Sequence, residues 1–552
     1  MIASVAKTIS ICPSGTRPAF WPSPVTWRPH AGRFTIIIAA TTTASTRRTL
    51  ISSATARATV LSVISALALH TAFPRTSWWW IAPFATAGLL ASWYSVGPRR
   101  AALIGCVSGL VFYTWGFSWF GQTAGTLLGP AAPLLSVGPA VLVLPAFPFA
   151  AVLTSLAARF CNVALVPIVA AAAFTLGEEL RSIGVMGDPF SQLGVAEIDS
   201  PLRALAAYGG GYAITFATVL LGASLGWWLL AMGDRRRAWT ALATWVAVAL
   251  ITTLAWAAWP ARHYAAPSRR VAAVQGGISQ SLKMSANGVP VAVDRYTALT
   301  LTLRSAHPTL VLWPETVIPT DLLDEPALQA RFAQLARTIG APLWVGAWGD
   351  DRDAWPDGTP HSFTNTLYLF SPGFAGNLPS ALYTKAHLVP FAEYLPGPRW
   401  LRSLPFADDI GRFAPGTNTR TTFDGATPLI CWESLFGDIA HARLADHPSL
   451  VMIATDDAWF GDTQGPYEHA MAATLRAVES GRWVLRAGAT GISGIIAPDG
   501  TWTKRTELGP SAVVVGDVGA PAPGPYAQIG PTPIGVALAL LAGLPFLRRR
   551  RR

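Results

Sequence analysis

The sequence predicts a polytopic α-helical membrane domain of about eight transmembrane helices joined to one soluble α/β domain. Three observations carry this. Hydrophobic residues make up 51% of the 552 and charged residues only 13%, whereas ordinary soluble domains are about a quarter charged. The charges are uneven, sparse before Arg270 and denser after it. Apolar stretches near the length that crosses a bilayer core recur before that point and once more close to the C-terminus.

The spans fall near 57–74, 77–95, 101–121, 131–155, 162–178, 208–231, 238–259 and 527–547. Arginine placement tests them. Arg99 and Arg100 follow the second span, Arg159 the fourth, Arg235 to Arg237 the sixth and Arg548 to Arg552 the last. With a cytoplasmic N-terminus every cluster lies inside, and the alternate loops hold only Arg75, Arg181 and Arg203. That is the positive-inside asymmetry, and it puts the segment between the seventh and eighth spans outside. The expected organisation is a disordered leader over 1–56, a membrane domain over 57–262, a soluble domain over 268–520, and a C-terminal span with a cytoplasmic arginine tail over 525–552. The apolar run Phe34 to Ala40 in the leader is too short to cross a bilayer. Glu178 and Glu179, at a span end, read as interfacial.

The net charge of +11 does not signal nucleic-acid binding, because the arginines cluster beside hydrophobic runs and form no basic stripe interleaved with aromatics. The nine histidines lack H-E-x-x-H or cysteine-clustered spacing, so no metal site and no cofactor is expected. Of the four cysteines, Cys431 alone lies in the soluble segment. A thiol with no bridging partner on the outer face of a membrane needs a reason to persist, and either a buried inert cysteine or a nucleophile supplies one.

Strand-like runs alternate with helix-like ones through this segment. Val271 to Gln275, Thr309 to Trp313, Pro342 to Gly346, Asn365 to Phe370, Ala381 to Tyr383, Leu450 to Ala454 and Trp483 to Ala487 read as strands. The 293–306 and 466–480 stretches read as helices, and Pro498-Asp499-Gly500 as a turn. Glu315, Lys385 and Cys431 each stand just past an apolar run, where α/β domains assemble their sites. Together they supply a carboxylate base for a thiol, an ammonium for an oxyanion, and the nucleophile.

Three phrases narrow the reading. W-P-E-T at 313–316, Y-T-K-A-H-L-V-P-F-A-E-Y-L-P at 383–396 and C-W-E-S at 431–434 resemble the signature regions of the nitrilase (carbon–nitrogen hydrolase) superfamily. The stretches 456–469, 485–493 and 497–500, with 187–194 and 199–212 in the membrane half, resemble the apolipoprotein N-acyltransferase family. The likeness covers about 57–547. It implies an αββα sandwich inserted between the seventh and eighth spans. It implies Glu315 as general base, Lys385 as oxyanion stabiliser and Cys431 as nucleophile, with Glu393 and Glu433 in support and Trp432 in a weaker substrate-binding role. Ala392 stands where the family usually has Gly, Gly187 to Phe190 departs from its usual phrase, and Ala489 lies where Asn is common.

The reaction so implied is a two-step acyl transfer. A phospholipid acylates Cys431, and the N-terminal amine of a diacylglyceryl-cysteine lipoprotein takes the chain as an amide. The expected partners are these two substrates and the membrane, with no nucleic acid. The chain is expected as a monomer in the cytoplasmic (inner) membrane with its catalytic domain facing the periplasm. A membrane-anchored amidase of the same trio, a relative serving another envelope process, and an inactive envelope scaffold are the competing readings.

Overall fold

Hydrophobicity over long stretches gives helices wherever the sequence places a span. The computed structural model describes residues 37–121, 136–264, 266–350, 363–397, 399–403, 410–418 and 420–549, with only the backbone course at 37–52. The chain divides at Ala54 into two units, Met1–Ala54 and Thr55–Arg552. The arginine tail beyond 549 and the leader before 37 lie outside the described residues.

The helices are α1 Ile37–His70, α2 Ala82–Tyr94, α3 Pro98–Gly116, α4 Val137–Val143, α5 Ala146–Phe160, α6 Leu165–Arg181, α7 Ala206–Leu229, α8 Arg235–Ala258 and the C-terminal Thr532–Arg549. The first begins at Ile37, so helix reaches back into the segment expected as a disordered leader. The fourth expected span is two helices that part at Pro145, which cannot donate a helical hydrogen bond. In α7, Gly209 and Gly210 leave helical geometry, and Gly210 takes φ +64° against the Tyr526 ring. Among the described residues, four stretches are long and apolar enough to cross a membrane by themselves: Ser53–His70, Val137–Phe160, Pro201–Leu229 and Arg235–Ala258. Apolar side chains on these helices such as Leu103, Leu242, Leu254 and Leu540 stay exposed. Glu178 is buried within the protein and accepts from the Leu193 N–H and the Thr215 hydroxyl, each at 2.9 Å.

The second half is an αββα sandwich. Its strands are β1 Arg269–Gln275, β2 Val311–Leu312, β3 Ile318–Asp321, β4 Leu343–Gly349, β5 Thr364–Phe370, β6 Ala381–Thr384, β7 Ala426–Ile430, β8 Leu450–Thr455, β9 Trp483–Gly488, β10 Gly494–Ile496, β11 Trp502–Arg505 and β12 Ala512–Val518. One sheet has the order β12-β1-β2-β4-β5-β6 with β3 beside β4, and the other β11-β10-β9-β8-β7. The sheets pack face to face through Val271, Leu312, Trp344, Leu367, Ile430, Met452, Leu485 and their neighbours. Alternate residues point outward, where α9 Gly288–Leu301 and α10 Pro326–Ile339 cover the first sheet and α11 Gly465–Ser480 the second. Burial on both faces explains why these strands read as continuous apolar runs. Pro428 sits in β7, an edge strand, where a missing N–H is tolerated.

The membrane core continues into the sandwich. Phe174, Phe190 and Leu193 belong to one cluster with Trp432, Phe436, Phe460 and Leu475. Helix α11 sits at this seam. Gln464, just before it, donates to the Gly116 carbonyl at 2.9 Å, Glu479 accepts from the Gly211 N–H at 2.8 Å, and Glu468 accepts from the Ser191 N–H.

Candidate active site

Three strand ends converge at the open edge of the sandwich. Glu315 follows β2, Lys385 follows β6 and Cys431 follows β7. The turn carrying Glu315 passes so close to β4 that a Cβ on Gly346 would lie 2.0 Å from the Pro314 carbonyl oxygen, so only glycine lets the two strands approach there.

The expected trio comes together. Glu315 Oε1 accepts from Lys385 Nζ at 3.2 Å and from Asn365 Nδ2 at 2.6 Å, and Oε2 accepts from the Asp456 N–H at 2.8 Å. The Cys431 thiol lies beside this carboxylate, whose charge acts on it. Glu315 and Lys385 are buried, while Cys431 stays partly accessible, an arrangement suited to a nucleophile served by hidden auxiliaries.

Charge states follow from these partners. Burial alone pushes Glu315 up, but Lys385, the Asn365 amide, the Asp456 N–H and Cys431 together hold its carboxyl below the usual range. Burial works against the Lys385 ammonium too, yet Glu315 and Glu393 outweigh it and raise its pKa. Burial and the neighbouring Glu315 charge push the Cys431 thiol well up. The resting state is therefore carboxylate, ammonium and neutral thiol, with the base already next to the proton it must take.

The supporting residues do different things. Glu393 accepts from Lys385 Nζ at 2.9 Å, from Asn365 Nδ2 at 3.1 Å and from the Val389 N–H at 2.7 Å, so it fixes the ammonium. Glu433 is paired with Arg443, whose guanidinium lies 3.7 Å from its carboxylate. It accepts from the Ile430 N–H at 2.8 Å, the Ala386 N–H at 2.9 Å and the Tyr383 hydroxyl at 2.9 Å. It thus ties the cysteine turn to the lysine turn. Burial raises its pKa against those donors. Cys431 itself has φ +48°, a left-handed backbone that a non-glycine residue adopts only when its surroundings hold it. Trp432 is buried in the seam, with its ring stacked on Phe190 at 5.6 Å, rather than on an open lipid-facing surface. The departure at Ala392 proves harmless to the backbone: the positive φ in that loop belongs to Phe391.

Sequence reasoning missed several site residues. Asn365 bridges Glu315 and Glu393, and its only signal was a polar residue opening an apolar strand. Thr455, at the end of β8, donates to Asp457 at 2.8 Å. Asp457, buried, binds His469 Nδ1 at 2.9 Å and Arg486 at 2.7 Å. The stretch 456–469 drew notice by resemblance, without roles for its members.

Comparison with known proteins gives the family. The apolipoprotein N-acyltransferase N-terminal domain matches residues 65–224, and the carbon-nitrogen hydrolase domain matches 270–523. The apolipoprotein N-acyltransferase of Methylococcus capsulatus is 31% identical over 514 residues, covering 90% of this chain and 97% of that one. That of Azotobacter vinelandii is 32% identical over 502 residues, covering 86% and 91%. Among solved structures, an amidase from Nesterenkonia sp. aligns at 18% identity with a TM-score of 0.35, covering 49% of this chain and 96% of its own. A membrane half and a carbon–nitrogen hydrolase half, matched over nearly their whole length by such relatives, mean that this chain belongs to the apolipoprotein N-acyltransferase family.

Proposed function

We propose that Cys431, Glu315 and Lys385 carry out the N-acyl transfer of this family by a thioester route. Glu315 takes the thiol proton as Cys431 sulfur attacks the ester carbonyl of a phospholipid. The oxyanion that forms faces the Lys385 ammonium. Its collapse breaks the ester C–O bond, and the lysophospholipid leaves with the proton that Glu315 returns. The free amine of a diacylglyceryl-cysteine lipoprotein then attacks the thioester. Glu315 accepts the amine proton, the C–S bond breaks, an amide forms, and the sulfur regains its proton. No cofactor enters the scheme.

The observation that carries this reading is the buried carboxylate of Glu315, which accepts from the Lys385 ammonium at 3.2 Å and lies close enough to the Cys431 thiol for its charge to act on it. The membrane half holds both lipid substrates in one leaflet, so encounter needs only lateral diffusion and positioning. Helix ends support an outward-facing catalytic domain. The Arg99–Arg100 end of α3 and the Arg235–Arg237 end of α8 lie away from the sandwich, whereas the Gly116 end of α3 meets Gln464. We accordingly assign the sandwich to the periplasmic side of the inner membrane, with eight spans. We assign domain limits of 57–262 and 268–520 and a C-terminal span within 525–552, and a monomeric chain with no nucleic-acid partner.

Cys431→Ser tests the assignment. With phosphatidylethanolamine labelled in its acyl chain, the wild type gains label at Cys431 and passes it to an amine acceptor, releasing little free acid. The variant inserts into membranes and takes up no label. Label retained in the variant overturns the nucleophile assignment.

A further inference from the structure

Cys431 needs more than a proton acceptor. Its left-handed backbone places the sulfur at the site, and something must hold that backbone through two acyl transfers. One side of the turn is held by Glu433, on the N–H of Ile430. The other side is the Cys431 carbonyl. His469 Nε2 lies 3.2 Å from that oxygen, and the Ser434 hydroxyl donates to it at 2.7 Å. Ser434 Oγ and His469 Nε2 are 2.9 Å apart, so the ring and the hydroxyl steady each other.

The ring cannot drift, because its other nitrogen is anchored. Nδ1 lies 2.9 Å from Asp457 Oδ1, and the second oxygen of Asp457 accepts from Arg486 at 2.7 Å. The Thr455 hydroxyl also donates to Asp457 at 2.8 Å. His469, Asp457 and Arg486 are fully buried. The ring belongs to α11, the same helix that binds the membrane half through Glu468 and Glu479.

We propose that His469 is a positioning residue for the nucleophile: through Nε2 it fixes the Cys431 carbonyl, and as part of α11 it references the sulfur to the membrane-bound frame. The inference rests on Cys431 as the acylated residue. Its value lies in geometry, since displacement of a reacting atom by about 1 Å can lower a rate on the order of 100-fold.

Two variants of the full-length enzyme in detergent, given phosphatidylethanolamine with a labelled acyl chain, separate the bonds. His469→Gln keeps an amide N–H near the place of Nε2. His469→Asn keeps one near Nδ1, and so keeps Asp457 but releases the Cys431 carbonyl. Acylation at Cys431 is read per mole of thiol titrated in the folded protein, with KM measured separately. The expected result is acylation within about three-fold of wild type for Gln and a fall of about ten-fold or more for Asn, at unchanged KM. Equal losses in the two variants, unchanged acylation in Asn, or an effect confined to KM overturns the proposal. If neither variant accumulates, Ser434→Ala reads the same carbonyl without touching Asp457; slower acylation there supports the proposal and unchanged acylation overturns it. Wild-type enzyme that gains no label at Cys431 instead removes the thioester reading itself, which is a separate result.

Discussion

The two sheets that meet over the site hold their reactive groups by different forces. The sheet built around β1 to β6 supplies Glu315, Asn365 and Lys385 as side chains bound to one another by charge-assisted hydrogen bonds. The sheet of β7 to β11 supplies Cys431 by fixing its main chain, through Glu433 on one side and Ser434 with His469 on the other. Ions can be drawn into register by one another. A neutral thiol has no charge to be held by, so the backbone must aim it.

The largest way to break this contrast is to remove the central ion. Lys385→Met leaves Glu315 and Glu393 buried without their cation, and removing one partner of a buried charge pair costs about 3–5 kcal/mol. Loss of an oxyanion donor lowers turnover a further 10²–10³-fold, on the order seen for such groups. Thermal unfolding and single-turnover acylation of the variant check both figures. If stability stays at the wild-type level, the charge-locked description of the first sheet is wrong.

A smaller effect is expected on the second sheet. Glu433→Gln keeps the shape but turns one of the two acceptor oxygens toward the Ile430, Ala386 and Tyr383 donors into an N–H₂ group. One mismatched buried polar group costs about 1–3 kcal/mol. The loss falls on the aim of the sulfur, so alkylation of Cys431 by iodoacetamide slows while the Lys385–Glu315 pair stays intact. A variant that alkylates at the wild-type rate would show that the main-chain clamp does not govern the thiol.

This contrast also sets what was legible in the sequence. The charge-locked groups stand at the ends of apolar strands, and Glu315, Lys385 and Cys431 could be picked out because strand ends are where such folds place chemistry. Most strands of the sandwich and the helices near 293–306 and 466–480 were readable from apolar runs, since burial dictates composition, whereas the strands Ile318–Asp321 and Ala512–Val518 and the helix Pro326–Ile339 were not read. The backbone clamp was not readable. A φ of +48° at Cys431 leaves no mark in a cysteine's identity, and His469 lies 38 residues from the carbonyl it holds. Asn365 was missed for a similar reason, because its two carboxylate partners come from other strands. In the membrane half, hydropathy found each helical stretch but not the break at Pro145, the non-helical turn at Gly209–Gly210 or the burial of Glu178, which depend on neighbouring helices rather than on local pattern.

The smallest expected effect is also the sharpest discriminator, because the carboxylates of the two sheets titrate in opposite senses. Glu315 has its folded pKa held below its ordinary 4.5, so it contributes stability above that value that is lost as pH falls through the folded pKa. Glu433 has its folded pKa raised above 4.5, so the fold favours its neutral form, and that contribution is lost as pH rises past 4.5 toward the folded value. Measured against wild type, Glu315→Gln should therefore become relatively more destabilising as pH climbs from acid to neutral. Glu433→Gln should become relatively less so over the range above 4.5. Chemical denaturation of both variants across that range reads the two slopes. Slopes of the same sign would mean that the two sheets hold their carboxylates in one way, and that charge pairing around Glu315 is not what sets it apart.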